Sequence, residues 1–153
     1  MMKLYYKRLS ERAVTPERGT EYSNGLDLYS AEENPVNIFP GKTKLIKTDI
    51  AIQLFTTPHS KFFGFITPRS GLAFKQGITI QNSPGLIDTD YTGNIGVILY
   101  NTGAINDEEP VTIHPGDRIA QLVILEQPNV VLQETDEIHE TLRGDGGFGS
   151  TGR

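Results

Sequence analysis

GDRIAQLVI, Gly116 to Ile124, is the stretch whose reading decides the fold. From Ile119 through Ala120, Gln121, Leu122, Val123 and Ile124 to Leu125 the chain is apolar on both faces except at Gln121, as expected of a strand covered on both sides. A polar side chain in that position needs a partner. Outward from this run, period-two patterning recurs. Leu26 and Leu28 alternate with Asp27 and Tyr29; Ile50, Ile52 and Leu54 with Ala51 and Gln53; Ile95, Val97 and Leu99 with Gly96, Ile98 and Tyr100. Between the runs stand Pro35, Pro40-Gly41, Pro58, Pro84-Gly85, Gly103 and Pro115-Gly116, at spacings that suit a barrel or sandwich. The fold is therefore expected to be all-β. One short helix is expected, capped by Ser70, running through Gln76 and stopped by Gly77 in the left-handed region, with Arg69 at its N-terminus.

The 153 residues suit one domain, residues 1–142, followed by a flexible glycine-rich arm, residues 143–153. A chain of this length can bury enough surface to fold without disulfides or a structural metal, in keeping with the absence of cysteine. That absence excludes a thiol nucleophile, an iron-sulfur cluster and a cysteine zinc site. The formal charge of −5 argues against non-specific binding to a polyanion, so nucleic acid and anionic membrane are not expected partners. No apolar run approaches the ~20 residues of a membrane span and no signal-peptide pattern opens the chain, so a cytoplasmic or nuclear location is expected.

Three segments carry groups suited to chemistry. PRSGLA, Pro68 to Ala73, puts Arg69 and Ser70 at a helix start, where free N–H groups and the helix dipole favour phosphate; a capped surface helix that binds nothing would read the same way. SPGLIDTDYTG, Ser83 to Gly93, sets Asp88 and Asp90 on one side of a strand, able to hold a metal or a water jointly, or else builds an ordinary hairpin loop. RGDGGFGSTG, Arg143 to Gly152, spaces Gly144 and Gly149 like a P-loop but has Ser150 where that motif has lysine. Its glycines would let backbone N–H groups wrap phosphate oxygens, with Ser150, Thr151 and Arg143 adding donors and charge. A plain flexible tail has no use for Phe148, which could stack on a base. His59, His114 and His139 have no metal-ligand spacing.

In order along the chain, NGLDLYS (Asn24 to Ser30), PRSGLA, PGLIDTDYTGNIGVILYN (Pro84 to Asn101), GDRIAQLVI and RGDGGFGSTG resemble the five motifs of the homotrimeric dUTPase family. The resemblance implies a jelly-roll-like β-barrel, a trimer with shared active sites, dUTP as substrate and Mg²⁺ as cofactor. It implies hydrolysis to dUMP and pyrophosphate, which limits uracil incorporation into DNA and supplies dUMP. By the same resemblance, Asp88 activates the attacking water and Tyr91 packs on deoxyribose, excluding a ribose 2′-hydroxyl. Asn82, Gly85, Leu86 and Ile87 belong to the hairpin that reads uracil, and Phe148 caps the base when the arm closes. Arg69, Ser70, Gly71 and Gln121, with Arg143, Gly149, Ser150 and Thr151 of the arm, resemble the residues that hold the phosphates, and Asp27 the aspartate associated with Mg²⁺ through water. Asn24, Pro84 and Thr92 depart from the commonest family pattern without removing any of these groups. A nucleotide-sensing regulatory protein on the same fold is the alternative; dCTP deaminases, related in fold, carry glutamate at the water-activating position and rank below it.

Overall fold

The alternating runs fold into short antiparallel strands in a computed structural model that describes residues 3–147. In chain order the elements are β1 (Tyr5–Arg8), β2 (Leu26–Tyr29), β3 (Val36–Ile38), β4 (Thr43–Lys47), β5 (Ile50–Gln53) and β6 (Ser60–Thr67). The short helix α1 (Ser70–Gln76) follows, then β7 (Ile78–Ile80), β8 (Gly85–Ile87), β9 (Gly96–Asn101), β10 (Val111–Ile113) and β11 (Arg118–Pro128). They pair as β1-β5, β3-β10, β4-β9-β7 and β2-β11-β6-β8. The all-β reading with one short helix holds, and the described ladders form four separate sheets around a shared core rather than one closed barrel.

Period-two burial places Ile95, Val97 and Leu99 inside, where they meet Leu28, Ile46, Ile50, Ile66, Ile119 and Leu122 in one hydrophobic cluster. Ile95 precedes β9 and is held by its backbone, its N–H donating to the Ile50 carbonyl at 2.8 Å. Two expectations fare differently. Asp27 lies on a face expected to meet solvent but is only 3% exposed, because ionic partners enclose it. The outer half of β11 is not covered within this chain: Leu125 is exposed and Val123 half-buried, beside half-buried Phe63 and Phe65 on β6 and exposed Leu86 on β8. These five side chains alternate with core residues along paired strands, so the four-stranded sheet is apolar on both faces.

The helix also departs in detail. Ser70 is its first residue, and Arg69, at φ −89° and ψ 127°, occupies the cap position with no side-chain cap bond. The extended backbone that a cap requires falls on Arg69, whose side chain is drawn away to Asp27. Gly77 supplies the left-handed stop at φ 67°, its N–H donating to the Ala73 carbonyl.

Truncating Leu99, fully buried in the core, to alanine is expected to cost about 2–5 kcal/mol. Urea unfolding should show this as a lower midpoint at an unchanged slope.

Candidate functional site

One group of expected residues gathers around Asp27. Its Oδ1 lies 3.2 Å from Arg69 Nε and accepts a 3.2 Å hydrogen bond from Gln121 Nε2; its Oδ2 accepts from Arg118 Nη1 at 3.3 Å. Gln121 thus finds its buried partner in Asp27. Close packing at Gly25 helps fix the pair, since a Cβ there would lie 3.0 Å from Gln121 Cβ. Arg118 was missing from the expected set. Under strict alternation it would share the inward face with Ala120, but a bulge between Arg118 and Ala120 places it opposite Tyr29, on the side of Asp27. A local hydrogen-bond irregularity of this kind leaves no signal in residue types. Beside the cluster, Arg69, Gly71, Lys75, His114, Asp117 and Arg118 border a depression of about 560 Å³. Arg69, Lys75 and Arg118 outnumber the carboxylates of Asp117 and the adjoining Asp27, which leaves the positive sign required for a polyphosphate. Ser70 and Gly71 are exposed, and the space where a Gly71 Cβ would point is open. Nearby Tyr29 donates to Glu17 Oε1 at 3.3 Å, and burial followed by the Glu17 charge holds its hydroxyl above the ordinary tyrosine value.

A second group lies at the far edge of the same sheet. Asp88 is exposed just beyond β8, in a turn, so Asp88 and Asp90 do not share a strand face as expected; both border a depression of about 730 Å³ with Lys61, Phe63, Phe65, Leu86 and Glu126. The turn is pinned from within. Tyr91 N–H donates to the Asp88 carbonyl at 3.1 Å, Tyr91 Oη to the Asn94 carbonyl at 2.8 Å, and Thr89 Oγ1 to the Phe62 carbonyl at 2.8 Å. Gly93 permits this, because a Cβ there would sit 2.7 Å from Tyr91 Oη. The expected hairpin around Asn82 differs as well. β7 pairs with β9 and β8 with β6, so residues 81–84 cross between two sheets, with Asn82 exposed on the crossing. Pro84, which has no N–H to give a ladder, stands at that crossing, and Gly85 lets β8 approach Ile66.

The two groups do not meet within one chain. In the order β2-β11-β6-β8 they occupy opposite edges, and Gln121 stands level with Asp27 and Thr67 while Ile87 stands level with Gly64. Three strand spacings across and four residues along put Asp27 and Asp88 about 20 Å apart. Arg143 is exposed, its Nε donating to the Gly146 carbonyl at 2.8 Å. Phe148, Gly149, Ser150 and Thr151 lie outside the described residues.

Among the described residues, no group of three or more His, Asp or Glu side chains is arranged to hold a metal ion. Both carboxylate oxygens of Asp27 are already engaged by donors, two of them arginines. Direct ligation by Asp27 does not fit this arrangement, and a Mg²⁺ ion arriving on a triphosphate would reach that carboxylate only across a water.

The sequence model of the dUTPase family matches residues 11–152. The chain is 50% identical over 137 residues to the deoxyuridine 5'-triphosphate nucleotidohydrolase of Rickettsia felis, a match covering 90% of this chain and 87% of that protein. The fold superposes on the Staphylococcus bacteriophage 80alpha dUTPase, solved with dUpNHpp, at a TM-score of 0.85 and 31% identity, covering all of both chains. On a mutant dUTPase of S. aureus phage phi11, whose structure concerns coordination of a structural Mg(II) ion, the TM-score is 0.76 at 29% identity, covering 89% of this chain and 98% of that one. The chain belongs to the dUTPase family. No helix among the described residues is long and apolar enough to cross a membrane.

Asp49, which anchors the pinned turn through Asn94, has a carboxyl held below its ordinary value, first by the Ser10 hydroxyl and then by Asn94, Arg12 and Lys47, against the opposing effect of burial. A depressed folded value means that this contribution to stability is present above the unfolded value near ~3.9 and is lost as pH falls through the folded one. Asp49→Asn should therefore flatten the fall in unfolding free energy below about pH 4.5, measured by urea titration across pH against the unaltered protein.

Proposed function

We propose that the protein hydrolyses dUTP to dUMP and pyrophosphate. The observation that carries the reading is Asp88, exposed at the end of β8 with Tyr91 locked into the same turn. Asp88 takes a proton from water, and that water attacks the α-phosphorus in line with the bridging oxygen, which departs with the pyrophosphate. Tyr91 offers a ring to deoxyribose, leaving no room for a 2′-hydroxyl, while Asn82, Gly85, Leu86 and Ile87 border the uracil. A narrow backbone outline rejects thymine by its methyl group and cytosine by its reversed donor and acceptor edge. Arg69, Ser70, Gly71 and Gln121 neutralise and orient the phosphates as charge grows on their oxygens. The arm from Arg143, with Gly149, Ser150 and Thr151 as phosphate donors and Phe148 over the base, closes on the bound nucleotide and excludes all water but the nucleophile. Mg²⁺, when bound on the triphosphate, would neutralise part of its charge.

The proposed assembly is a homotrimer in which one chain supplies the Asp88 turn and another the Arg69 and Gln121 cluster. It is supported by the ~20 Å between these groups within a chain and by the uncovered apolar sheet face of Phe63, Phe65, Leu86, Val123 and Leu125. Beyond β11, Val130, Val131 and Leu132 are exposed, with Leu132 at 96%, and extend apolar surface suited to a neighbouring chain.

A nucleotide-sensing role is the second reading. It is favoured by the account of phage 80alpha dUTPase, which describes phage dUTPases as controlling transfer of virulence genes by a proto-oncogenic G protein-like mechanism.

Pyrophosphate release with Mg²⁺ should occur from dUTP and not from dCTP, dTTP or UTP. Asp88→Asn is expected to lower it by about 10²–10⁴, and deletion from Gly144 onward should leave a folded protein with little turnover. Full activity in the deletion would refute the closing arm; dUTP binding without turnover in the unaltered protein would favour the sensing role. Sedimentation equilibrium should return about three times the 16.9 kDa chain mass, and Phe65→Asp should shift the population toward single chains.

A further inference from the structure

The turn carrying Asp88 and Tyr91 is exposed, yet it is anchored to a part of the molecule that touches none of the proposed substrate groups. Asn94, whose carbonyl accepts from Tyr91 Oη, donates from Nδ2 to Asp49 Oδ1 at 2.7 Å. The flanking backbone is fixed at the same place. Thr48, fully buried, donates to the Ile95 carbonyl from N at 3.1 Å and from Oγ1 at 2.7 Å, and Ile95 N–H donates to the Ile50 carbonyl at 2.8 Å. Residues 94–95 are thereby clamped to the turn joining β4 and β5.

Two features of the clamp carry a cost. Asp49 has φ 50°, the one positive-φ residue other than glycine among the described residues, a conformation that side chains rarely adopt. Asn94 Oδ1 is buried with no hydrogen-bond partner among the described residues. A turn needed only to connect β8 to β9 could close without either. What the pair achieves is a fixed height for the Asn94 carbonyl, and with it for the Tyr91 ring folded back over Gly93. The second anchor is the segment after β1, where Leu9 N–H donates to the Asp49 carbonyl at 2.8 Å.

We propose that Asp49 and Asn94 are positioning residues for sugar selection: their side-chain hydrogen bond holds the Tyr91 ring where it admits deoxyribose and refuses ribose. Neither touches the nucleotide; they act through the Tyr91 hydroxyl and the backbone of residues 94–95. The inference rests on the proposed roles of Tyr91 and Asp88 and assigns the accuracy of that site to a pair on a different sheet connection. A ring released by a fraction of an ångström would relax discrimination before it slowed hydrolysis, because a 2′-hydroxyl is excluded by steric fit while Asp88, though its carbonyl accepts from Tyr91 N–H, is also held through Thr89 and the end of β8.

Two variants separate positioning from folding. Asp49→Gly removes the carboxylate and tolerates φ 50° without strain. The exchanged pair, Asp49→Asn with Asn94→Asp, rebuilds an amide-to-carboxylate bond in the opposite sense, and asparagine is among the residues that accept positive φ. The preference for dUTP over UTP in kcat/KM, measured by pyrophosphate release, should fall roughly ten-fold in Asp49→Gly, with kcat on dUTP changed far less. Amide hydrogen exchange over Tyr91–Ile95 should quicken in the same variant. The exchanged pair should restore both. An Asp49→Gly protein with unchanged preference, or an exchanged pair that folds yet restores neither property, overturns the inference. If the unaltered protein releases no pyrophosphate from dUTP, the proposed activity fails on its own, and the exchange measurement then decides the clamp: unchanged protection at Tyr91–Ile95 in Asp49→Gly overturns it.

Discussion

The buried carboxylate of Asp27 is the constraint on which the rest of the site depends. An aspartate 3% exposed is tolerable only when paired, and here Arg69, Arg118 and Gln121 all point donors at it. Those three come from the approach to α1 and from β11, so a single anion ties β2, β11 and the start of the helix together. The same contacts hold two arginines, Arg69 and Arg118, at the border of a cationic depression instead of leaving them free on the surface. Preorganisation of this kind is what phosphate chemistry needs, because donors already in position do not have to reorganise as charge develops.

The four-stranded sheet distributes the remaining parts. Its inner face builds the core through Leu28, Ala120, Leu122 and Ile66, while its outer face is apolar and carries charged or polar groups at its ends. A sheet apolar on both faces is stable only when both are covered, and one chain covers only the inner one. Covering the outer face with further copies, as in the proposed trimer, would also allow the two groups at opposite edges to meet.

Much of this was legible in the residues. Period-two alternation with proline and glycine punctuation defined the strands through Ile95, Val97 and Leu99, and Gly77 ended the helix where expected, because these are local preferences of backbone and side chain. The motifs around Asp88, Arg69 and Gln121 were recognisable for the same reason: chemistry needs fixed residue types at short spacings, and those survive in a linear string.

What the sequence by itself determined, then, was the all-β class, the positions of most strands and the chemical identity of the proposed site groups. Tertiary structure alone decided that Asp27 is buried, that Arg118 turns toward it through a bulge, that β7 and β8 join different sheets, and that Asp49 braces the Tyr91 turn. The physical reason is range. Alternation and turn chemistry act over a few neighbouring residues, whereas an ion pair or a clamp joins positions dozens of residues apart, Asp27 to Arg118 and Asp49 to Asn94, whose meeting is set by strand order and register rather than by anything near them in the chain.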